Sequence, residues 1–404
     1  MMQKRTHKHE IKIPVLFCST TRLGAEPDPT LVKKWVGLKP YFDATVLSFR
    51  SDAGPLKLEL EGATWLLLPP GLPRPLRYVL YFCRAFWLTL LGALTNKYRA
   101  VITQSPYEAV APALALLPWR LVGAAAKPKL IVEIHNDWTE GVLLYHRSRL
   151  TWLERPLRKL VGTFSLSQAD SYRAISDFCR ALLPQNGKPV FVFPTYTDLE
   201  SFKAPSEALV RELAAARGTG YFLFVGMLIY LKGVHHLLKA FGKVHAAHPA
   251  ARLIIAGKGD QEVSLKQLAD DLGVADVVRF VGHLDQDTLA AYIKNAGALL
   301  MPSLTEGLGR VAIEAHLLER PVIGSRTGGI PEIVADGTSG ILCEPGDEHA
   351  LQAAMERLLQ DRQEAERMGA AGREAVTQKF DYRTYYCSYG EMVAKTVEGG
   401  ERKT

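Results

Sequence analysis

The 404-residue sequence lacks the cysteine spacing that metal sites and disulfide frameworks require. Its five cysteines stand singly along the chain and are odd in number. We therefore predict reduced thiols and no metal site. The chain also lacks zinc-type spacing, an aromatic ribonucleoprotein sequence and an unbroken basic tract. The net charge of +7 consequently favours phosphorylated substrates or an anionic membrane surface as partners, and not nucleic acid.

Secretory and membrane-spanning patterns are also lacking. Residues 1–12 are polar and basic, without the apolar core of a signal peptide. The long apolar run Leu76–Leu94 contains Arg84, and a central arginine costs roughly 2.5–3.5 kcal/mol on insertion. The run also lies between two predicted strands of one sheet, where a crossover helix belongs. Two alternatives remain open: a fully packed helix, or one whose exposed face contacts anionic lipid. We expect a cytoplasmic protein, with the inner face of the cell membrane as a candidate location.

Short apolar runs alternate with helical patterns along almost the whole chain, which predicts an α/β fold with parallel strands joined by helical crossovers. A polar stretch after residue 193 reads as a linker. We predict two doubly wound, Rossmann-like domains that face each other across a cleft. The expected boundaries are 1–200 for an acceptor-side domain, 201–380 for a nucleotide-sugar domain and 381–404 for a terminal helix that packs back on the first domain. The predicted strands are 13–17, 44–49, 64–68, 100–103, 130–134, 190–193, 221–225, 252–256, 277–281, 298–301, 321–324 and 340–343.

The stretch from Glu306 to Glu314 carries the clearest chemical signal. It follows a predicted strand and enters a helical pattern, so one glutamate lies on a loop and the other about one turn inside a helix. Glycines between them allow a close approach to a ligand, and the free N–H groups of a helix start favour phosphate. A carboxylate repels phosphate, so both glutamates should accept hydrogen bonds from sugar hydroxyls. The pattern therefore predicts a nucleotide-sugar pocket.

In this stretch the chain resembles the retaining family-four glycosyltransferases, which have the GT-B fold and an E-x7-E signature. The resemblance covers most of residues 221–350 in order. Its ordered motifs are Phe224–Gly226 with Lys232-Gly233, Ile255–Gly259, Phe280–Gly282, Pro302-Ser303 with Glu306-Gly307, Gly328–Glu332 and Asp336-Gly337. This set implies a role in bacterial cell-surface glycan assembly, with a nucleoside-diphosphate sugar as co-substrate and no other cofactor.

The resemblance also implies roles for single residues. Lys232 would contact the donor diphosphate, where a fixed cation stabilises the leaving group. Glu314 would accept bonds from the donor ribose, and Glu306 would lie near the transferred sugar. Gly307, Leu308 and Gly309 would offer backbone N–H groups to sugar or phosphate.

One position departs from the family. Met227 stands where the family has a second diphosphate-binding arginine, and methionine supplies neither charge nor a hydrogen-bond donor. Arg310 is the nearest replacement in sequence, and Arg326 is a poorer one. If no other cation takes the role of that arginine, activity is weak or lost.

The first half supplies further candidates. His135 follows the strand 130–134, where the family often has a histidine that reaches the donor sugar, whereas Asp137 reads as a helix cap. Thr21 and Gly24 lie where the family commonly has a glycine pair; only Gly24 is present, so a site role there and an ordinary loop both remain open.

We therefore expect a metal-independent glycosyltransferase of the hexosyltransferase type that acts on a glycan or lipid-linked acceptor. The alternatives are a non-catalytic or partner-dependent binding protein and a nucleotide-sugar epimerase. A dinucleotide-dependent oxidoreductase is not expected, because Glu262 occupies the third glycine position of the G-x-G-x-x-G pattern that begins at Gly257. Donor base, sugar, acceptor, linkage and oligomeric state are not encoded in recognisable motifs.

Overall fold

A computed structural model describes residues 12–24, 27–122, 128–139, 151–380 and 382–399. The amino-terminal stretch in which no signal was found lies almost wholly outside these ranges. Residues 400–404 of the predicted terminal segment also lie outside them.

The first sheet has eight strands within the described residues, in the order β3-β4-β2-β1-β5-β6-β7-β8. All neighbours are parallel except the pair β3 and β4. The order reverses between β1 and β5, so a crevice is expected beyond their carboxyl ends. The strands are β1 Ile13–Leu23, β2 Phe42–Arg50, β3 Lys57–Leu60, β4 Ala63–Leu68, β5 Ala100–Thr103, β6 Lys129–Ile134, β7 Ser171–Ala174 and β8 Val190–Val192.

The six strands predicted in the first half are confirmed, but β3 and β7 were not predicted. β3 is a short antiparallel edge strand with two charged residues. β7 holds the buried Arg173, whose charge is neutralised by Glu133 on the neighbouring strand. Polarity along the sequence therefore concealed both strands.

The loop predicted after residue 17 is wrong, because β1 continues to Leu23. The register between β1 and β2 shifts between Cys18 and Arg22, as at a β-bulge. Within this interval the hydroxyl of Ser48 donates to the carbonyl of Thr21. The irregular pairing lets a polar segment remain in the strand.

The second sheet is wholly parallel, in the order β11-β10-β9-β12-β13-β14. All six strands predicted here are confirmed within one or two residues. The order reverses between β9 and β12, so the loops that follow these two strands meet at a second crevice. The strands are β9 Tyr221–Val225, β10 Leu253–Ala256, β11 Val278–Gly282, β12 Ala296–Met301, β13 Val322–Ser325 and β14 Gly340–Cys343.

Helices connect the strands and cover both sheets. Their bounds are α1 Pro29–Leu38, α2 Arg74–Leu94, α3 Val110–Leu121, α4 Thr151–Gln168, α5 Asp177–Ala181, α6 Glu200–Lys203, α7 Glu207–Arg217, α8 Val234–Ala247, α9 Glu262–Asp271, α10 Gln286–Asn295, α11 Arg310–Leu317, α12 Glu348–Gln360, α13 Arg362–Lys379 and α14 Tyr382–Glu398. The predicted crossover helix is α2, which joins β4 to β5. Of the helices that the structure describes, none is both long and apolar enough to cross a membrane.

The last helix, α14, packs against the first sheet. Tyr385, Tyr389 and Met392 are buried in one cluster with Phe17 and Phe42 of β1 and β2. The chain therefore returns to its first half after the second sheet is complete. The divisions at residues 200 and 380 stay our proposed boundaries.

Candidate active site

Lys232 ends a short 3₁₀ turn, Tyr230–Lys232, between β9 and α8. The next residue, Gly233, has a φ of 65°, and a Cβ there would lie 2.0 Å from the carbonyl oxygen of Pro302. Only glycine permits this approach. The contact holds the turn against the loop after β12, where the lysine Nζ lies 2.5 Å from Oε2 of Glu306.

The backbone of residues 307–309 forms the start of the predicted phosphate site. These residues are buried, and their N–H groups donate to no acceptor in the part of the chain that the structure describes. A Cβ at Gly328 would lie 1.6 Å from the carbonyl oxygen of Glu306, so a second glycine loop supports this one from behind. Unpaired N–H groups ahead of α11 are suited to an anion.

Glu314 lies in the second turn of α11 and is only 3% exposed. The Nε atom of Arg310 is 3.4 Å from its Oε1. Burial raises the pKa of Glu314 to about 7, although the nearby guanidinium opposes this shift. The group therefore titrates near neutral pH, and a hydroxyl that donates to it would favour the ionised form.

Both cations predicted to replace the missing arginine have acidic partners, as Lys232 does, and Arg310 stays our candidate replacement. Met227 is 53% exposed after β9, Arg310 is engaged by Glu314, and Arg326 pairs with two acidic side chains. Lys258, which lies within the motif Ile255–Gly259 but was not assigned a role, is exposed on the adjoining loop. Its carbonyl accepts from the N–H of Leu228 at 3.0 Å, so a lysine is present beside the loop of the methionine.

His135 follows β6 and belongs to a buried charge cluster. Its Nε2 lies 2.6 Å from Oε2 of Glu133, and Nη1 of Arg173 lies 3.1 Å from the same oxygen. The hydroxyl of Tyr389 donates to the other carboxylate oxygen. Sequence patterns gave no sign of this cluster, because its members come from β6, β7 and α14.

This cluster fixes the protonation of His135. Burial tends to raise the pKa of Glu133, but Arg173 and the histidine hydrogen bond bring that pKa well below its ordinary value. An ionised carboxylate only accepts, so the histidine Nε2 carries a proton and Nδ1 is its acceptor. Burial also lowers the pKa of His135, which makes the neutral ring the dominant form at neutral pH.

Direct contacts bring His135 to the loop of Glu306. A Cβ at Gly307 would lie 2.0 Å from the carbonyl oxygen of His135, and the hydroxyl of Ser176 donates to the Gly307 carbonyl at 2.7 Å. Nearby, the carboxylate of Glu332 accepts from the N–H groups of residues 177–178 at 2.9–3.0 Å. The two halves of the chain therefore meet at the predicted site.

At the switch point of the first sheet, the buried carboxylate of Glu108 links β1 to the residue that follows β5. It accepts from the hydroxyl of Thr20 at 2.7 Å and from the N–H of Gln104 at 2.9 Å. Burial raises the pKa of Glu108 to about 7. The candidate Thr21 lies beside this tie, with its hydroxyl oxygen 2.7 Å from that of Ser19.

A further candidate, Asp137, lies in the loop after β6. The carboxylate of Asp137 accepts from the N–H and hydroxyl of Thr139 at 2.8 and 2.6 Å, which closes a turn just before the undescribed residues 140–150. Within the described ranges, no group of three or more His, Cys, Asp or Glu side chains is placed to hold a metal ion.

Comparison with known sequences gives a consistent family. Residues 206–375 match the family described as glycosyl transferases group 1. Glycogen synthase of Mycobacterium tuberculosis is 37% identical over 273 residues, which cover 67% of this chain and 62% of that protein. The GDP-mannose-dependent alpha-(1-6)-phosphatidylinositol monomannoside mannosyltransferase of Mycolicibacterium smegmatis is 33% identical over 262 residues, or 62% of this chain and 68% of that one. The chain thus spans about 62% of the length of the glycogen synthase.

Solved structures confirm the fold that the resemblance implied. Sucrose-phosphate synthase from Thermosynechococcus elongatus superposes with a TM-score of 0.78 at 21% identity, over 96% of this chain and 100% of that one. Anabaena HepE, solved in complex with UDP-glucose, gives a TM-score of 0.71 at 19% identity over the same shares. The architecture is therefore GT-B.

Proposed function

This chain belongs to the glycosyl transferases group 1 family, and from that membership we propose that it is a glycosyltransferase which moves a sugar from a nucleoside-diphosphate sugar. We further propose that the acceptor is a glycan or a lipid-linked molecule and that the anomeric configuration is retained. No metal ion takes part in this proposal.

The observation that carries the proposal lies beside Lys232, where residues 307–309 are buried and their N–H groups find no acceptor among the described residues. Backbone dipoles and a cation stabilise a departing diphosphate where its charge develops. Without donor the ammonium of Lys232 is held by Glu306. A bound diphosphate would share that ammonium, and the freed Glu306 oxygen would accept from the sugar. The UDP-glucose held by HepE in the same fold supports this type of donor.

In the proposed step, the acceptor oxygen bonds to the anomeric carbon as the bond from that carbon to the diphosphate breaks. The acceptor proton passes to a diphosphate oxygen on the same face, so retention needs no protein nucleophile. Glu314 would accept from the ribose. The neutral His135 would accept through Nδ1 from a sugar hydroxyl, since its Nε2 donates to Glu133.

The donor site is tested with a thermal-shift panel of uridine, guanosine and adenosine diphosphate sugars. Binding raises apparent stability, by about 2.7 kcal/mol at a hundred dissociation constants. Lys232→Met should abolish the shift at equal concentration, whereas Lys243→Met, an exposed lysine of α8, should keep it. Failure of every donor to stabilise the wild type would refute the proposal.

One alternative function has its own observation. The exposed Met227 at the arginine position would suit a partner subunit that binds donor without turning it over. Steady release of nucleoside diphosphate by the purified wild type favours the enzyme, and saturable donor binding with no release favours the partner subunit. Conversion of the donor to an epimer would instead favour the epimerase alternative.

We also propose that the protein works at a membrane surface. Helices α2, α3 and α4 expose a set of large apolar side chains, hereafter the apolar face: Leu76, Val79, Trp87, Leu91, Leu94, Leu114, Leu121, Trp152, Leu157 and Leu160. Arg84 and Lys97 are exposed on or next to α2 and would attract anionic lipid. The proposed location is the cytoplasmic face of the cell membrane, which would bring a lipid-linked acceptor to the cleft.

A further inference from the structure

A separate cavity adjoins the candidate active site on the side of the first sheet. It has a volume of about 220 Å³ and lies at the carboxyl end of the sheet, next to the side chain of His135. Helix α1 lines the cavity with Thr30, Leu31 and Lys34, and Arg173 of β7 and Tyr385 of α14 also line it. The amide of Gln286, from the second half of the chain, donates to the hydroxyl of Thr30 at 3.0 Å. The cavity therefore lies where both halves meet.

Lys34 is the unusual member of this lining. Its neighbour Lys33 is paired with Asp198, but no described acidic side chain forms an ion pair with Lys34 itself. Burial lowers the pKa of Lys34 to about 8, with Glu133 opposing that shift and Arg173 adding to it. A half-buried ammonium with no counter-ion is costly unless a ligand supplies one.

The charged groups near Lys34 do not supply a counter-ion to its ammonium. Both carboxylate oxygens of Glu133 are already engaged, one by Arg173 and His135 and the other by Tyr389. Asp28 is exposed at the start of α1, and its carboxylate accepts from the N–H of Thr30 at 2.7 Å. The neutral His135 and the phenol of Tyr385 add no negative charge at neutral pH. The carboxylate of Asp28 also lines the cavity, but within the described residues no ion pair joins it to Lys34. The ammonium of Lys34 therefore has no directly bonded counter-ion in the part of the chain that the structure describes.

We propose that this cavity binds a phosphate group carried by the acceptor, through Lys34, and so selects a phosphorylated acceptor. The inference rests on the proposed function, because it assigns the cavity to the second substrate of the transfer. His135 lines the cavity and its backbone contacts the loop of Gly307, so the two substrates would adjoin at this residue. The phosphate comes either from a soluble sugar phosphate or from a lipid headgroup.

The test measures binding by calorimetry, without turnover. Full-length protein is titrated with glucose 6-phosphate and with phosphatidylcholine vesicles that do or do not contain phosphatidylinositol. The titrations are repeated with Lys232→Met, so that occupation of the donor diphosphate site is recognised and kept separate. Lys34→Gln should weaken binding by about tenfold or more, as for loss of a charged hydrogen bond. Lys34→Arg should retain most of the affinity, and Lys39→Gln, on the exposed end of α1, should behave as wild type.

Sulfate supplies a second readout, because its charge is constant between pH 6 and 9. Sulfate binding should weaken as pH rises through the pKa of Lys34 and should be accompanied by proton uptake near pH 8. Lys34→Gln should remove that uptake. A structural role for the lysine would not produce it.

Each outcome either supports or overturns the inference that Lys34 binds a phosphate group. Dependence of glucose 6-phosphate binding on Lys34 supports a soluble acceptor, and dependence of phosphatidylinositol binding alone supports a lipid headgroup. Equal affinities in wild type and Lys34→Gln for all of these probes would overturn the inference. That result would not contradict donor binding at Lys232. Failure of every donor in the thermal-shift panel would, in turn, not alter the affinities measured at the cavity.

Discussion

At the scale of single residues, burial decides which groups at the cleft are charged. Glu133 and Glu314 are both buried carboxylates, yet their pKa values move in opposite directions. Glu133 meets a guanidinium, a histidine and a phenol, which together outweigh the cost of burial. Glu314 has only one more distant guanidinium, so burial prevails. The first group is a fixed anion, and the second exchanges its proton near neutrality.

The raised pKa of Glu314 predicts how stability depends on pH. Between the unfolded value near 4.5 and about 7, the folded state holds a proton that the unfolded state has lost. The free energy of unfolding should therefore fall as pH rises through this window, by roughly 1–3 kcal/mol from this group. Glu314→Gln should remove this part of the slope, and Glu374→Gln, at an exposed position of α13, should leave it unchanged.

Thermal unfolding midpoints of the wild type, Glu314→Gln and Glu374→Gln are measured from pH 5 to 8.5 and compared. If the midpoints of wild type and Glu314→Gln differ by a constant amount at every pH, the carboxyl of Glu314 does not titrate in this range and the assignment is wrong.

At the scale of elements, the sequence left open whether α2 is fully packed or has an exposed face that contacts lipid. The structure answers part of this question. It packs against α3 and the first sheet, as a crossover helix should, with Tyr81 and Ala85 fully buried. The same helix leaves Trp87 57% exposed and Leu91 52% exposed. Packing and exposure therefore coexist on opposite faces of α2, and α2 contacts α3, which exposes further side chains of the apolar face.

The membrane proposal predicts binding to vesicles that contain phosphatidylglycerol. Trp87→Glu with Leu91→Glu should weaken co-sedimentation at least tenfold, since burying one large apolar side chain is worth about 1.5–3 kcal/mol. Val263→Glu is the matched control, because Val263 is 82% exposed on α9 of the other half. Equal sedimentation of the double variant and the control, or no binding by the wild type, would contradict the proposal.

At the scale of the whole molecule, backbone contacts join the two halves at the cleft. Ser176 and the N–H groups of residues 177–178 come from the first half, whereas Gly307 and Glu332 come from the second. These contacts hold His135 against the loop of Glu306, so the site depends on the relative position of the halves.

Removing the Glu332 carboxylate should loosen this arrangement. Glu332→Ala deletes two charge-assisted hydrogen bonds, which are worth about 1.5–3 kcal/mol each. Amide hydrogen exchange at residues 177–178 should accelerate by a factor of about ten or more. Glu374→Ala, an exposed glutamate on α13, should not change it. Unaltered protection at these amides in Glu332→Ala would exclude the carboxylate as a link between the halves.

The sequence alone predicted twelve strands of the two sheets and the loop of Glu306 in the second sheet. Strand and helix periodicity are local properties, and an ordered motif such as Lys232-Gly233 with Glu306-Gly307 lies within one sheet whose switch point brings its members together. Twelve predicted strands are present for this reason, while β7 was missed because the burial of Arg173 depends on a partner 40 positions earlier.

Only tertiary structure decided the charge states of the site and its second cavity. The protonation of His135 follows from Glu133, Arg173 and Tyr389, which are separated by up to 256 positions in the chain. Lys34 reads as an ordinary helix lysine until α1 is packed against α14 and lines a cavity with Arg173 of β7, where desolvation changes its pKa. Coulomb and desolvation energies depend on distance in space, and the order of residues along the chain does not specify that distance.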